Sequence, residues 1–193
     1  SYYLDTKIVL EALDLQQEED TRPINELLQL IRDSGGSIRI LDITIQEIRG
    51  IIDTAINKYN PTTPTTTINE ACIRIGKKKT WLTSLSGQLE KYLTETLKVN
   101  IDKVSEAEIE KYTNTEDTKQ LQSIWYRKNA AAHDVISYLY IREKRRITTG
   151  NNVLPQKATY WFITPNSRLC QCNASKKLNG YPSETILPQN LAS

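Results

Sequence analysis

The 193-residue chain contains no methionine, one histidine and three cysteines, and its formal net charge is only +2. Without methionine there is no initiator residue; either the start was removed or the chain is a piece of a longer protein. Cys72, Cys170 and Cys172 are too few and too unevenly placed for a disulfide framework. Cys170-Gln171-Cys172 lacks the second Cys or His pair of a zinc knuckle. Ordinary thiols in a reducing, cytoplasmic compartment are therefore expected. The small net charge excludes a global polycation, so nucleic-acid affinity would have to come from local patches. No stretch approaches the ~20 apolar residues of a membrane helix, and no signal peptide precedes the first strand. No membrane role is expected.

Apolar residues make up 38% and charged residues 25%, which suits one soluble, helix-rich domain over residues 1–193, large enough for a core. Tyr2-Tyr3-Leu4-Asp5-Thr6 reads as a buried strand that ends in a carboxylate, followed by an amphipathic segment. Ile24, Leu27, Leu28 and Ile31 mark a helix, with Pro23 in its first turn and Gly35-Gly36 at its end. Residues 38–43 alternate as a second strand, and Thr44 can cap the helix that follows. That helix carries Ile45, Ile48, Ile52, Ala55, Ile56 and Tyr59 on one stripe. This β-α-β order is the unit of a parallel sheet.

The Pro- and Thr-rich stretch 60–67 breaks the pattern, and a helical excursion follows through Trp81, Leu85, Leu89, Leu93 and Leu97, with a weaker helix near Ile109 and Tyr112. Two more helices are expected between about 118 and 146, the second apolar on most sides from Asp134 onward. Residues 158–164 read as an aromatic, β-branched strand. Residues 181–188 read as a short final edge strand. The fold class is α/β: a three-layer α/β/α sandwich with a short parallel sheet and an added helical insertion at about 61–118.

Acids recur where such a sheet gathers its ligands. Asp5 ends the first strand, Glu47 lies in the first turn after the second, and Asp134 opens the apolar helix. Asn166 follows the aromatic strand. In open α/β sheets the carboxyl ends of the strands converge on one crevice. Carboxylates gathered there repel unless a cation balances them, and hard oxygen ligands suit Mg²⁺ or Mn²⁺. Such ions activate water and stabilise charge on a phosphodiester.

Tyr3-Leu4-Asp5-Thr6, Ile43-Thr44-Ile45-Gln46-Glu47, Ala132-His133-Asp134-Val135-Ile136 and Phe162-Ile163-Thr164-Pro165-Asn166-Ser167-Arg168-Leu169, in this order, resemble the motifs of PIN domains, the metal-dependent ribonuclease fold. The resemblance spans nearly the whole chain, with the insertion outside it. It implies that Asp5, Glu47 and Asp134 are the first three metal-binding acids of a catalytic site. The fourth position carries Asn166 where the family has Asp; its amide oxygen can ligate but adds no charge. The implied activity is Mg²⁺- or Mn²⁺-dependent cleavage of single-stranded or structured RNA.

Plainer readings stand beside this one. Glu47 and Asp134 could serve only as helix starts, stabilised by the macrodipole. Asp42 rivals Glu47, although strand alternation aims it elsewhere. His133 reads as a packing residue or as a support for Asp134. Thr164 and Ser167 offer hydroxyls that could orient a ligand carboxylate, or simple turn chemistry. Lys77-Lys78-Lys79, the run from Arg142 to Arg146, and Lys176-Lys177 read as solvated faces, whereas Arg168 is better placed to touch an RNA phosphate. Base stacking on Trp81 or Tyr126 is a further option. Two other functions stay open: a degenerate PIN-like domain that binds RNA or protein without cutting, and the toxin half of a toxin–antitoxin pair. In the latter, a protein inhibitor, or the domains of a parent protein, would be partners.

Overall fold

The computed structural model describes residues 1–124, 128–149, 158–175 and 183–191. The chain begins with β1 (Tyr2–Leu4), α1 (Thr6–Ala12), α2 (Glu18–Asp33), β2 (Ile38–Leu41) and α3 (Asp42–Asn57). It continues through α4 (Thr67–Arg74), α5 (Lys79–Gly87), α6 (Leu89–Thr96), β3 (Asn100–Asp102), α7 (Glu106–Thr113) and α8 (Glu116–Ile124). It closes with α9 (Lys128–Thr149), β4 (Trp161–Ile163), α10 (Ser167–Ser175), β5 (Thr185–Ile186) and α11 (Pro188–Leu191). The expectations for Tyr126 and for Lys176-Lys177 lie outside the described residues.

Among the described residues five strands form one sheet, all parallel, in the spatial order β3-β2-β1-β4-β5. Strand alternation divides the core between two faces. Leu4, Ile38, Ile40 and Ile163 pack with the helices α1 to α6. Tyr3, Leu41 and Phe162 pack on the other face with residues of α7 to α10. The result is the α/β/α sandwich expected from the β-α-β pattern. No helix among the described residues is long and apolar enough to cross a membrane.

Several boundaries differ from the sequence reading, each for a local reason. α2 starts at Glu18, so Pro23 is its sixth residue rather than in its first turn. Glu18, Glu19 and Asp20 complement the dipole of the N-terminus and begin the helix early. Pro23 lies on the exposed side, where the carbonyl it leaves unbonded can meet water. The other end is as expected: Gly35 has φ +77°, and the N–H groups of Gly35 and Gly36 donate to Arg32 and Ile31 carbonyls at 2.9 and 2.8 Å, a Schellman closure.

β2 ends at Leu41, and Asp42 already belongs to α3. Asp42 Oδ1 accepts from the backbone N–H of Ile43 at 2.9 Å and of Val104 at 3.0 Å, so this acid ties the helix start to the segment after β3. Thr44 therefore does not cap; it lies fully buried inside the helix. Glu47 falls in the second turn of α3, and Asp134 in the second turn of α9, six residues past its start. The macrodipole reading of these two acids loses its geometric basis, because the dipole acts within the first turn.

The stretch read as helical also holds β3, an edge strand. Asn100-Ile101-Asp102 is too short and polar to give an alternation signal. Tertiary partners hold it: Asp102 accepts from Tyr3 Oη at 2.5 Å and pairs with the Arg39 guanidinium. The Arg142–Arg146 run is not a uniformly solvated face either. Arg145 is buried and donates to the carbonyls of Tyr160 at 2.7 Å and Ser183 at 3.0 Å, joining α9 to the approaches of β4 and β5. Arg142 pairs with Glu184 at 2.8 Å, whose side chain is almost fully buried.

Candidate metal centre

The parallel order places β1 between β2 and β4, so Asp5 leaves the centre of the sheet at its carboxyl edge. Its N–H donates to the Ile163 carbonyl at 3.0 Å, which extends the β1–β4 ladder one residue and fixes where the side chain emerges. α3 leaves the neighbouring strand on the same edge and brings Glu47. α9 crosses the sheet and brings His133 and Asp134. The turn after β4 brings Thr164 and Asn166.

Among the described residues, one group of ligand-type side chains could hold a metal ion. Asp5, His133 and Asp134 each offer an atom, and these atoms lie within 4.8 Å of one another. Asp5 and Asp134 are buried. Glu47 stands beside them with a third of its side chain exposed, and its Oε2 is 3.6 Å from His133 Nδ1. His133 Nδ1 is also 3.5 Å from Asp134 Oδ1.

Hydroxyl groups fix these side chains. Thr164 Oγ1 donates to Asp5 Oδ2 at 2.5 Å and accepts from the Asn166 N–H at 3.1 Å. Thr6 Oγ1 donates to Glu47 Oε2. Thr44 Oγ1 and His133 Nε2 are 3.0 Å apart, which leaves Nδ1 to face the acids. Asn166 Nδ2 donates to Asp134 Oδ2 at 3.4 Å, while its Oδ1 accepts from the Leu169 N–H at 3.1 Å and so caps α10. In this orientation Asn166 presents a donor to the acids. Ser167 and Arg168 follow in the first turn of α10, both exposed.

The electrostatics match the crowding. Burial, and then the charge of Asp134, push the Asp5 carboxyl up to about 7; Thr164 and His133 pull it back only in part. Burial also raises Asp134, against the opposing contact with His133. For His133, burial disfavours the charged ring, but its contact with Asp134 and the fields of Glu47, Asp134 and Asp5 together raise its pKa. The carboxylates around the His133 ring thus favour its protonated form.

No protein-family model matches the chain, and no curated protein or solved structure is significantly similar to it. The site stands on its own geometry.

On that geometry, the donor set suits a divalent cation. Two buried carboxylates and a third at the rim would be relieved of mutual repulsion by a double positive charge, and the His133 ring, once it gives up its proton, would add a nitrogen. An imidazole among oxygen ligands favours Mn²⁺ over Mg²⁺, which takes oxygen almost alone.

Three residues carry more of the site than their sequence context indicated. His133 faces Glu47 and Asp134 directly instead of packing behind them. Thr6 and Thr44 hold Glu47 and His133. A signal existed for Thr44: it precedes Glu47 by three helical positions, so both share a face of α3. Thr6 adjoins Asp5, but nothing in the sequence says that α3 would approach it.

Proposed function

We propose that the chain is a PIN-like, Mn²⁺- or Mg²⁺-dependent ribonuclease that hydrolyses RNA phosphodiesters. The observation that carries this reading is the meeting of Asp5, His133 and Asp134 within 4.8 Å, at the carboxyl edge of a parallel sheet, with Glu47 at the rim. The order of these residues along the chain is the order of the PIN-domain motifs they resemble.

Asp5 and Asp134 would hold the ion, with His133 Nδ1 beside them. A divalent ion held there would supply Lewis-acid polarisation of the scissile phosphate and a lowered pKa for bound water. Thr164 keeps the Asp5 carboxylate turned toward the cluster, and Thr44 holds the His133 ring at Nε2 so that Nδ1 faces it. Glu47, partly exposed at the rim, would complete the ligand set or take a proton from the attacking water. Arg168, exposed just past Asn166, supplies a positive charge for an RNA phosphate. A chain that works this way meets RNA in the cell interior, where a protein inhibitor or parent-protein domains could restrain it.

Asn166 favours a second reading, a PIN-like domain that binds RNA or protein without cutting. Its amide gives the acids a donor where a fourth carboxylate would strengthen cation binding.

Calorimetric titration with Mn²⁺, followed by incubation with single-stranded RNA with and without EDTA, separates these readings. Micromolar Mn²⁺ uptake and EDTA-sensitive cleavage, both lost in Asp134→Asn, are expected. Mn²⁺ uptake without cleavage would favour the second reading, and no uptake would remove the metal centre.

A further inference from the structure

A groove of about 720 Å³ opens directly from the rim of the acidic cluster. Glu47 belongs to both. One wall is a stripe of α3: Glu47, Gly50, Ile51 and Thr54 line it at helical intervals of three and four. The stripe runs about 10 Å away from the acids at 1.5 Å per residue. The opposite wall is the start of α4, where Thr67 and Ile68 face the groove, and Gln16 closes the rim from the α1–α2 loop.

The lining has a definite chemical character. Among the described residues, Glu47 alone of its lining is charged, and no lysine or arginine contributes. A run of phosphates would find no counter-charge there. Ile51, 37% exposed, and Ala55 give an apolar surface, while Gln16 and Thr67 carry hydrogen-bonding groups of both kinds. Gly50 widens the groove at its middle: a Cβ placed there would meet nothing within 4 Å. The space offers no positive charge, is polar at its edge, and begins at Glu47 on the rim of the cation site.

We propose that this groove seats the nucleobase adjoining the scissile phosphate, stacked on the Ile51 side of α3 with its edge toward Gln16 and Thr67. The proposal rests on the ribonuclease reading and deepens it: the acids handle the phosphate, and the α3–α4 groove takes the neutral part of the same nucleotide. It assigns a role to Gly50, which the cluster itself does not use.

The test fills the groove. Gly50 has no left-handed backbone angle, and leucine is a better helix former than glycine. Gly50→Leu should therefore melt no lower than wild type and take up Mn²⁺ with unchanged affinity. Single-stranded oligonucleotides carrying 2-aminopurine at one position in turn report on base environment without any cleavage, in the presence of Ca²⁺. Wild type should change the emission at one position flanking the cut. Gly50→Leu should abolish that change and weaken binding roughly tenfold, about the loss of one base contact. RNA binding and emission unaffected by Gly50→Leu would overturn the base site and assign the groove to a partner's peptide segment, with the nuclease reading intact. A wild type that takes up Mn²⁺ but binds no RNA would overturn both.

Discussion

The Thr164 hydroxyl reaches Asp5 Oδ2 at 2.5 Å across 159 residues of sequence. The bond joins the ends of β4 and β1, and it aims a buried carboxylate at His133 and Asp134. Because burial and Asp134 already push the Asp5 carboxyl up to about 7, this donor is among the few groups that favour its charged form.

Asp5→Asn should reduce Mn²⁺ affinity by roughly 100-fold, since one of two buried carboxylates is lost. The amide keeps an oxygen to accept from Thr164 and removes the repulsion with Asp134. The metal-free variant should therefore melt at or above the wild-type temperature. A clear drop in melting temperature would show that Asp5 serves as a structural hydrogen-bonding residue.

Thr164→Val should leave a buried carboxylate without its donor. The expected cost is about 1–3 kcal/mol of stability, together with roughly 10-fold weaker Mn²⁺ binding. Thr164→Ser should restore both, because the hydroxyl and not the methyl carries the effect. Chemical denaturation and Mn²⁺ titration of the two variants provide the check.

Asn166→Asp should keep the cap on α10, because a carboxylate oxygen accepts from the Leu169 N–H as the amide does. It should also place a further negative charge against Asp134. Metal-free stability should fall by about 1 kcal/mol, and Mn²⁺ affinity should rise by roughly tenfold. Unchanged Mn²⁺ affinity would place residue 166 outside the cation's reach and leave it the cap alone.

Asp102 tests the sheet apart from the site. Burial raises its pKa, but hydrogen bonds from Arg39 and Tyr3 outweigh burial and hold it below the ordinary aspartate value of 3.8. A group depressed on folding contributes stability that is full above its unfolded pKa and is lost as pH falls through the folded one. Wild type should therefore lose stability on acidification below about pH 4, and Asp102→Asn should show a flatter acid limb. Urea midpoints measured between pH 2 and 6 would reveal the difference; parallel limbs would show that the Asp102 contacts contribute nothing to folding.

Which residues form the core, and which run parallel, was legible from local pattern. The alternating run read at 38–43, the α3 stripe of Ile45, Ile48 and Ile52, and the aromatic run read at 158–164 each announce their element without help from the rest of the chain, although the strands proper are shorter, Ile38–Leu41 and Trp161–Ile163. The identities of Asp5, Glu47 and Asp134 as acids at the sheet edge were legible too, because their contexts repeat. The helix start at Asp42 was not, since the bond from the Val104 N–H that ties it down comes from a segment 62 residues away. β3 and buried Arg145 depend on partners more than 30 residues away in the case of Arg39 and Ser183, and no local signal marks them. The orientation of His133 is of the same kind. Its neighbour in sequence is Asp134, but only the tertiary fold, which brings α9 and α3 to the same edge of the sheet, sets Thr44 at one ring nitrogen and Glu47 near the other. Sequence alone determines periodicity, composition and the chemical types available; which side chains meet, and at what distance, is decided when loop closure brings remote segments together and burial raises the energetic stakes of each contact.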